Sequence, residues 1–139
     1  MMSPVLLDAS VMVALFDDAD RHHEDCVARL SRLPLGTPLW TTWPCITEAS
    51  YLLAPRNHLA LLSWVHKGAA DVAALAVEDL PPLITWMHRY SEAGKTLMDL
   101  ADASLVWAAV QKGARRILTL DERDFLRYRL PDGQALQVV

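Results

Sequence analysis

The stretch MDLADASLVWAAVQKGARRILTLDERDF, residues 98–125, decides the fold class. Asp99 stands where a helix N-cap belongs and Gly113 follows Lys112 as a stop signal, so the spacing predicts a helix from Asp99 to about Lys112. Arg116 to Leu120 then reads as a short strand that ends at Asp121. A helix that feeds directly into an apolar strand is half of a βαβ unit.

The same alternation extends to both ends of the chain. Val5-Leu6-Leu7 reads as a buried strand ending at Asp8, and Ser10 to Asp17 as a first helix. After the polar break Asp17-Asp18-Ala19-Asp20, residues 21–33 carry Cys26, Val27, Leu30 and Leu33 at amphipathic spacing. Pro34-Leu35-Gly36 is a turn before a second strand, Pro38 to Thr42. Pro44 suits the first turn of a helix that runs to about Ala54, where Pro55 ends it. Residues 58–68 form another helix, Val72 to Val77 a third strand, and Asp79 caps a helix entered through Pro81-Pro82 and closed at Ala93-Gly94. Ala135 to Val139 adds an edge strand. The expectation is one α/β domain over residues 1–139, three-layered (α/β/α), with a central parallel sheet.

Composition narrows the class of function. With 13 Lys and Arg against 17 Asp and Glu, the net charge of −4 excludes a basic protein that coats DNA. A hydrophobic share of 53% with 22% charged residues excludes disorder and predicts an apolar surface used for self-association or a protein partner. The two cysteines, Cys26 and Cys45, lack CxxC spacing, which argues against a disulfide framework and a zinc site. The N-terminus has no basic region before Asp8, and the longest apolar runs are six residues, against the ~20 of a membrane span. A cytoplasmic protein without a membrane partner is expected. No GxGxxG stands in the chain, which sets a dinucleotide binder aside.

The acids carry the chemistry. Ligands of open α/β sheets bind outside the carboxyl ends of the strands, where strand order reverses. Asp8 and Asp121 each follow an apolar run, Asp102 lies in the first turn of its helix, and Glu48 lies one turn into the helix after the second strand. Each has a plainer reading. Asp8 begins a turn beside Ser10, Asp99 caps a helix whose dipole favours Asp102, and Asp121 ends a strand. Glu48, amid Ile46, Ala49, Leu52 and Leu53, is harder to explain as a solvated side chain. Two carboxylates 4 Å apart repel by ~4 kcal/mol at an effective dielectric of 20, so a cluster of them calls for a cation or shared protons. An all-oxygen set without His or Cys suits Mg²⁺ or Mn²⁺ rather than zinc or copper, and phosphodiester hydrolysis is the chemistry such a site performs.

On these residues the chain resembles the PIN-domain proteins, in particular the VapC-like toxin ribonucleases of toxin–antitoxin pairs. The likeness rests on LLDASVMVALF (6–16), TEASYLL (47–53) and the 98–125 stretch, and it spans residues 5 to about 126. It implies a PIN-like parallel sheet flanked by helices, a homodimer, Mg²⁺ or Mn²⁺ as cofactor, and endonucleolytic cleavage of RNA, with a structured loop such as one of tRNA as substrate. It also implies a cognate antitoxin as partner. Matched to the family's pattern, Asp8, Glu48, Asp102 and Asp121 are the catalytic, metal-binding acids, with Asp99 and Asp124 as secondary acids. Ser10 and Thr119 match hydroxyl positions that orient carboxylates or water. Many relatives have Thr or Ser directly after the first Asp, where this chain has Ala9. The competing class is a PIN-like binding or regulatory module without catalysis.

Three further groups of residues are weighed against these. Six basic residues between Lys112 and Arg129 (Lys112, Arg115, Arg116, Arg123, Arg127 and Arg129) are expected beside the cleft, where they read either as a solvated face or as contacts for RNA. Trp64, Trp86 and Trp107 have the spacing of core or interface residues, while Trp40 and Trp43 flank the second strand near Glu48. His22 and His23 read as a solvated pair, and the cysteines as packing thiols.

Overall fold

A run with no polar side chain, Val5-Leu6-Leu7, fits the middle of a sheet covered on both faces. The computed structural model, which describes residues 2–91 and 97–139, places it there as β1. The other strands are β2 (Leu39–Thr42), β3 (Asp71–Ala73), β4 (Arg116–Leu118) and β5 (Gln137–Val138). The helices are α1 (Ala9–Phe16), α2 (His23–Arg32), α3 (Trp43–Leu52), α4 (Pro55–His66), α5 (Leu80–Arg89), α6 (Leu100–Lys112) and α7 (Glu122–Arg127). The strands are all parallel in the order β3-β2-β1-β4-β5. From β1 the chain builds outward through β2 and β3, then returns to add β4 and β5 on the other side. The order therefore reverses between β1 and β4, and the carboxyl ends of those two strands border the crevice where α/β sheets bind ligands.

Helix α6 connects the two halves of the sheet. Ala101, Ala103, Ser104, Leu105, Val106, Trp107, Ala108 and Ala109 are all buried, so the helix is covered nearly all round. Its small residues allow close approach to β1, β2, α3 and α5. Gly113 closes it in the left-handed conformation, φ +65°, as the sequence predicts. On the other side α1 packs against α2, α3 and α4, which gives the three-layer α/β/α arrangement.

Several boundaries differ from the sequence reading, each for a local reason. Pro55 starts α4 instead of ending α3, because the first turn of a helix has no use for the missing N–H; Pro44 fills the same role in α3. The first helix begins at Ala9 with Asp8 as its cap, and the second at His23. The third strand stops at Ala73, and the chain turns into a single 3-10 turn at Val77–Asp79, where Asp79 accepts a 2.8 Å bond from Ala76 N–H. Helix α5 ends at Arg89; its expected stop at Ala93-Gly94 lies outside the described residues. The fourth strand ends at Leu118, two residues early, and α7 has no counterpart in the sequence reading. Its signal is present: Glu122 and Asp124 in the first turn and Arg127 in the last are the charge order a helix dipole favours.

Trp86 and Trp107 lie in the core, and Trp64 packs edge-on against Phe16 at 5.4 Å. Cys26 and Cys45 are buried free thiols. His23 is no solvated residue: its Nδ1 lies 2.7 Å from the Ala14 carbonyl and ties α2 to α1.

Candidate active site

The β1 carboxyl end delivers Asp8, only 2% exposed, into the crevice. It caps α1: Oδ1 accepts from Ala9 N–H at 2.7 Å. Its Oδ2 accepts from the Thr119 hydroxyl at 2.7 Å and the Ser10 hydroxyl at 3.0 Å. Each hydroxyl has one proton to give, and each accepts a backbone N–H from the β4–α7 turn: Asp121 N–H to Thr119 at 2.9 Å, Leu120 N–H to Ser10 at 3.1 Å. The bonds thus form a closed lattice in which the Asp8 charge sets the direction of every hydroxyl. Ala9 has no hydroxyl to offer Asp8, and Ser10 supplies one.

Thr119→Val removes one donor to a buried carboxylate and one acceptor of a backbone N–H. It is expected to lower the metal-free unfolding free energy by about 1–3 kcal/mol in urea titration, with Thr119→Ser close to wild type.

Around Asp8 a cavity of about 310 Å³ gathers the acids. Glu48 from α3, Asp99 and Asp102 from the start of α6, and Asp121 and Asp124 from the β4–α7 connection all line it. The sequence-predicted acids, primary and secondary, therefore converge on one cavity, with Ser10 on its wall and Thr119 behind Asp8. Asp99 Oδ1 accepts from Asp102 N–H at 2.8 Å, so the capping reading of Asp99 also holds. The start of α6 is pinned by a buried chain of bonds: Thr42 donates to Ser104 at 2.6 Å, and Ser104 to the Ala101 carbonyl at 2.6 Å.

Crowding shows in the proton affinities. Burial, opposed by the Thr119 hydroxyl and reinforced by Asp121, pushes Asp8 up to about 6. Burial pushes Asp102 up to about 8 against the pull of a Tyr128 hydroxyl bond, with Asp99, Asp8 and Asp121 adding repulsion. Glu48 is raised by burial and by Asp99, and Asp121 by burial and by Asp124. Carboxylates that all hold protons too tightly form a pocket short of positive charge. The nearest thiol, Cys45, is itself raised by burial and by Asp8, so it offers no thiolate. An oxygen-only donor set fits a hard divalent cation. Among the described residues no three His, Cys, Asp or Glu side chains are already closed to ligating geometry.

Two residues that the sequence reading does not single out support this site. Tyr128 donates its hydroxyl to Asp102 Oδ2 at 2.7 Å. Burial and the Asp102 carboxylate raise the phenol, so it stays a neutral donor. Arg29 of α2 donates to the Thr119 carbonyl at 3.2 Å and pairs with Asp25 at 3.0 Å and Glu122 at 3.4 Å, tying α2 to the β4–α7 turn. Neither carries a local signal, since the partners that matter lie far away in sequence.

The basic cluster is divided, contrary to the expectation of positive charge gathered beside the cleft. Lys112 ends α6, which begins at the site; at 1.5 Å per residue a helix of this length puts it about 20 Å away. There it lies over the Trp40 ring. Arg115 pairs with Asp132 at 2.7 Å, and Arg116 donates to the Ser3 carbonyl, also at the amino ends of the strands and away from the site. Arg123 and Arg127 belong to α7, on the site's side. Neither Trp40 nor Trp43 lines the acidic cavity.

Comparison with known proteins agrees with the fold. Residues 5–130 match the family model of the PIN domain. Ribonuclease VapC26 of Mycobacterium tuberculosis is 26% identical over 142 residues, an alignment covering 97% of this chain and 99% of that protein. The crystal structure of Mycobacterium tuberculosis VapC20, described as a sarcin–ricin loop cleaving toxin, superposes with a TM-score of 0.73 at 17% identity, covering 86% of this chain and 93% of that one. That last likeness concerns the fold. A parallel sheet whose switch point collects acids from β1, α3, α6 and the β4–α7 turn, matched by the family model over all of those elements, makes this chain a member of the PIN-domain family.

Proposed function

We propose that this chain is a divalent-metal-dependent endoribonuclease, the toxin of a toxin–antitoxin pair, with residues 1–139 as a single nuclease domain. The observation that carries the reading is the gathering of Asp8, Glu48, Asp102 and Asp121 around one cavity, with all four raised in proton affinity. Asp8, Asp102 and Asp121 are the principal ligands of Mg²⁺ or Mn²⁺, Glu48 completes the set or orients the attacking water, and Asp99 and Asp124 add charge at the rim. When bound, such a cation supplies an activated water and neutralises charge growing on the phosphate. The chain's own contribution is preorganisation. Thr119 and Ser10 hold Asp8 Oδ2, while Ala9 N–H holds Oδ1, so the carboxylate is fixed at both oxygens before a cation arrives. The α6 N-terminus keeps Asp102 at the cavity, and its dipole favours the negative charge collected there.

The substrate is RNA, read at a structured loop whose unstacked bases are accessible. VapC26 carries the name ribonuclease and VapC20 is described as a loop-cleaving toxin, which supports this assignment. An antitoxin and a second copy of the chain are the protein partners. Tyr51, Leu52, Leu59 and Leu62 on α3 and α4 are exposed, an apolar surface consistent with such contacts. An RNA-cleaving toxin of this kind would act in the cytoplasm. No helix among the described residues is long and apolar enough to cross a membrane.

The test is incubation of the purified protein with total RNA. Discrete cleavage in Mg²⁺ or Mn²⁺, abolished by chelator, is expected. No cleavage of any RNA, together with a melting temperature indifferent to Mn²⁺, would assign the chain to the non-catalytic binding modules.

A further inference from the structure

Tyr128 is 2% exposed, follows α7 directly, and its hydroxyl reaches across to Asp102 on α6, 26 residues earlier. The ring is held from several sides. It meets Phe125 edge-on at 5.3 Å and Tyr90 of α5 edge-on at 5.0 Å. The Arg127 guanidinium lies 5.4 Å from its centroid and 5.7 Å from that of Tyr90. The Tyr90 hydroxyl accepts from Arg129 N–H at 2.9 Å. A phenol locked this firmly has essentially one direction in which to donate, and it donates to one oxygen of an acid lining the cavity.

We propose that Tyr128 is a positioning residue for the cation site: its hydroxyl fixes Asp102 Oδ2 so that the carboxylate meets the cation in a single preset orientation. The inference rests on the reading of Asp102 as a ligand. An ion held by few carboxylates depends on how each is aimed, and a carboxylate free to rotate must be ordered at the expense of affinity. A tyrosine is well chosen for this. An Arg or Lys in its place would orient Asp102 but cancel the charge that the cation is meant to meet, whereas a neutral hydroxyl orients it and leaves the charge available. The contact also ties the metal site to α5 and α7, so the aromatic cluster and the acid cluster are assembled together.

The test uses Mn²⁺ alone as the probe, titrated calorimetrically into the full-length protein and two ring-preserving variants. Tyr128→Phe keeps the ring contacts and loses the hydroxyl, with its bond to Asp102 and its side-chain bond with Arg127. Tyr90→Phe removes a hydroxyl from the same cluster without touching Asp102. Tyr128→Phe is expected to weaken Mn²⁺ binding about tenfold or more, the usual effect of losing a partner that orients a ligand, while Tyr90→Phe stays within about twofold of wild type. The Mn²⁺ concentration for half-maximal RNA cleavage should rise by the same factor in Tyr128→Phe, with KM for RNA unchanged at saturating metal. Wild-type Mn²⁺ affinity in Tyr128→Phe, or equal weakening in both variants, would overturn the proposal. Asp102→Asn separates the two levels. If it binds Mn²⁺ like wild type, the ligand reading itself has failed; if it loses binding while Tyr128→Phe does not, only the role of Tyr128 has.

Discussion

Asp102→Asn is expected to lower metal-dependent RNA cleavage by about 10³-fold while leaving the protein folded, and to raise its metal-free melting temperature at pH 8. The loss follows from removing one of the few charges that the proposed site offers a cation, whose contribution to a phosphoryl transition state is several kcal/mol. The gain follows from the environment of the carboxylate. Burial and three neighbouring acids hold Asp102 near 8, so its ionised form is under strain at that pH and a neutral amide is not. The Tyr128 hydroxyl still finds an acceptor in the amide oxygen, so the contact survives. Cleavage assays with Mg²⁺ and with chelator, beside thermal melts of the same samples, check both halves. The plainer reading, that Asp102 serves only the α6 dipole, gives the opposite pattern: cleavage persists and stability falls by roughly 0.3–1 kcal/mol. Persistence of cleavage would reject the ligand assignment.

Metal-free protein should be more stable at pH 5 than at pH 8, against the common trend for domains whose carboxylates sit in salt bridges. Asp8 near 6 and Asp102 near 8 both lie above the ordinary carboxylate value, so over this range the folded chain holds protons that the unfolded chain has released. Stability contributed by those protons is complete below pH ~4 and is lost as pH rises through 6 for Asp8 and 8 for Asp102. Glu48 and Asp121 are displaced in the same direction. Raising a carboxyl tenfold in proton affinity corresponds to about 1.4 kcal/mol, reduced by solvent screening for the partly exposed acids, and a kcal/mol moves the melting point of a domain this size by roughly 2–8 °C. The melting temperature in chelator should therefore fall by several degrees between pH 5 and pH 8. Millimolar Mg²⁺ or Mn²⁺ should restore it at pH 8 and do little at pH 5, where protons already relieve the repulsion. A metal-free melting temperature that climbs over this interval would mean that the acids do not crowd one another as described.

Much of this site is legible in the sequence. Asp8 and Asp121 are placed by the apolar runs that precede them, and Asp99 by its position at the start of a helical pattern, because capping and burial periodicity are local effects that adjacent residues report. Glu48 stands out as an acid on a largely apolar helix. What periodicity cannot supply are partners far along the chain. The basic residues form one group in the sequence, where charges can be counted without knowing which end of a helix each occupies. Pro55 reads as the end of a helix because proline is unfavourable within a helix and favourable at its start, and the residue alone does not say which applies.

Sequence by itself determined the parallel α/β fold, the acids at the strand ends, and the oxygen-only character of the donor set, all of which follow from spacing and residue type. Tertiary structure decided the rest: the bond from Thr119 to Asp8 across 111 residues, the reach of Arg29 to the Thr119 carbonyl, and the phenol of Tyr128 on Asp102. These depend on which elements pack together at the switch point. The energy of such a bond is realised only once burial has excluded water from both partners, so nothing in the flanking sequence records it.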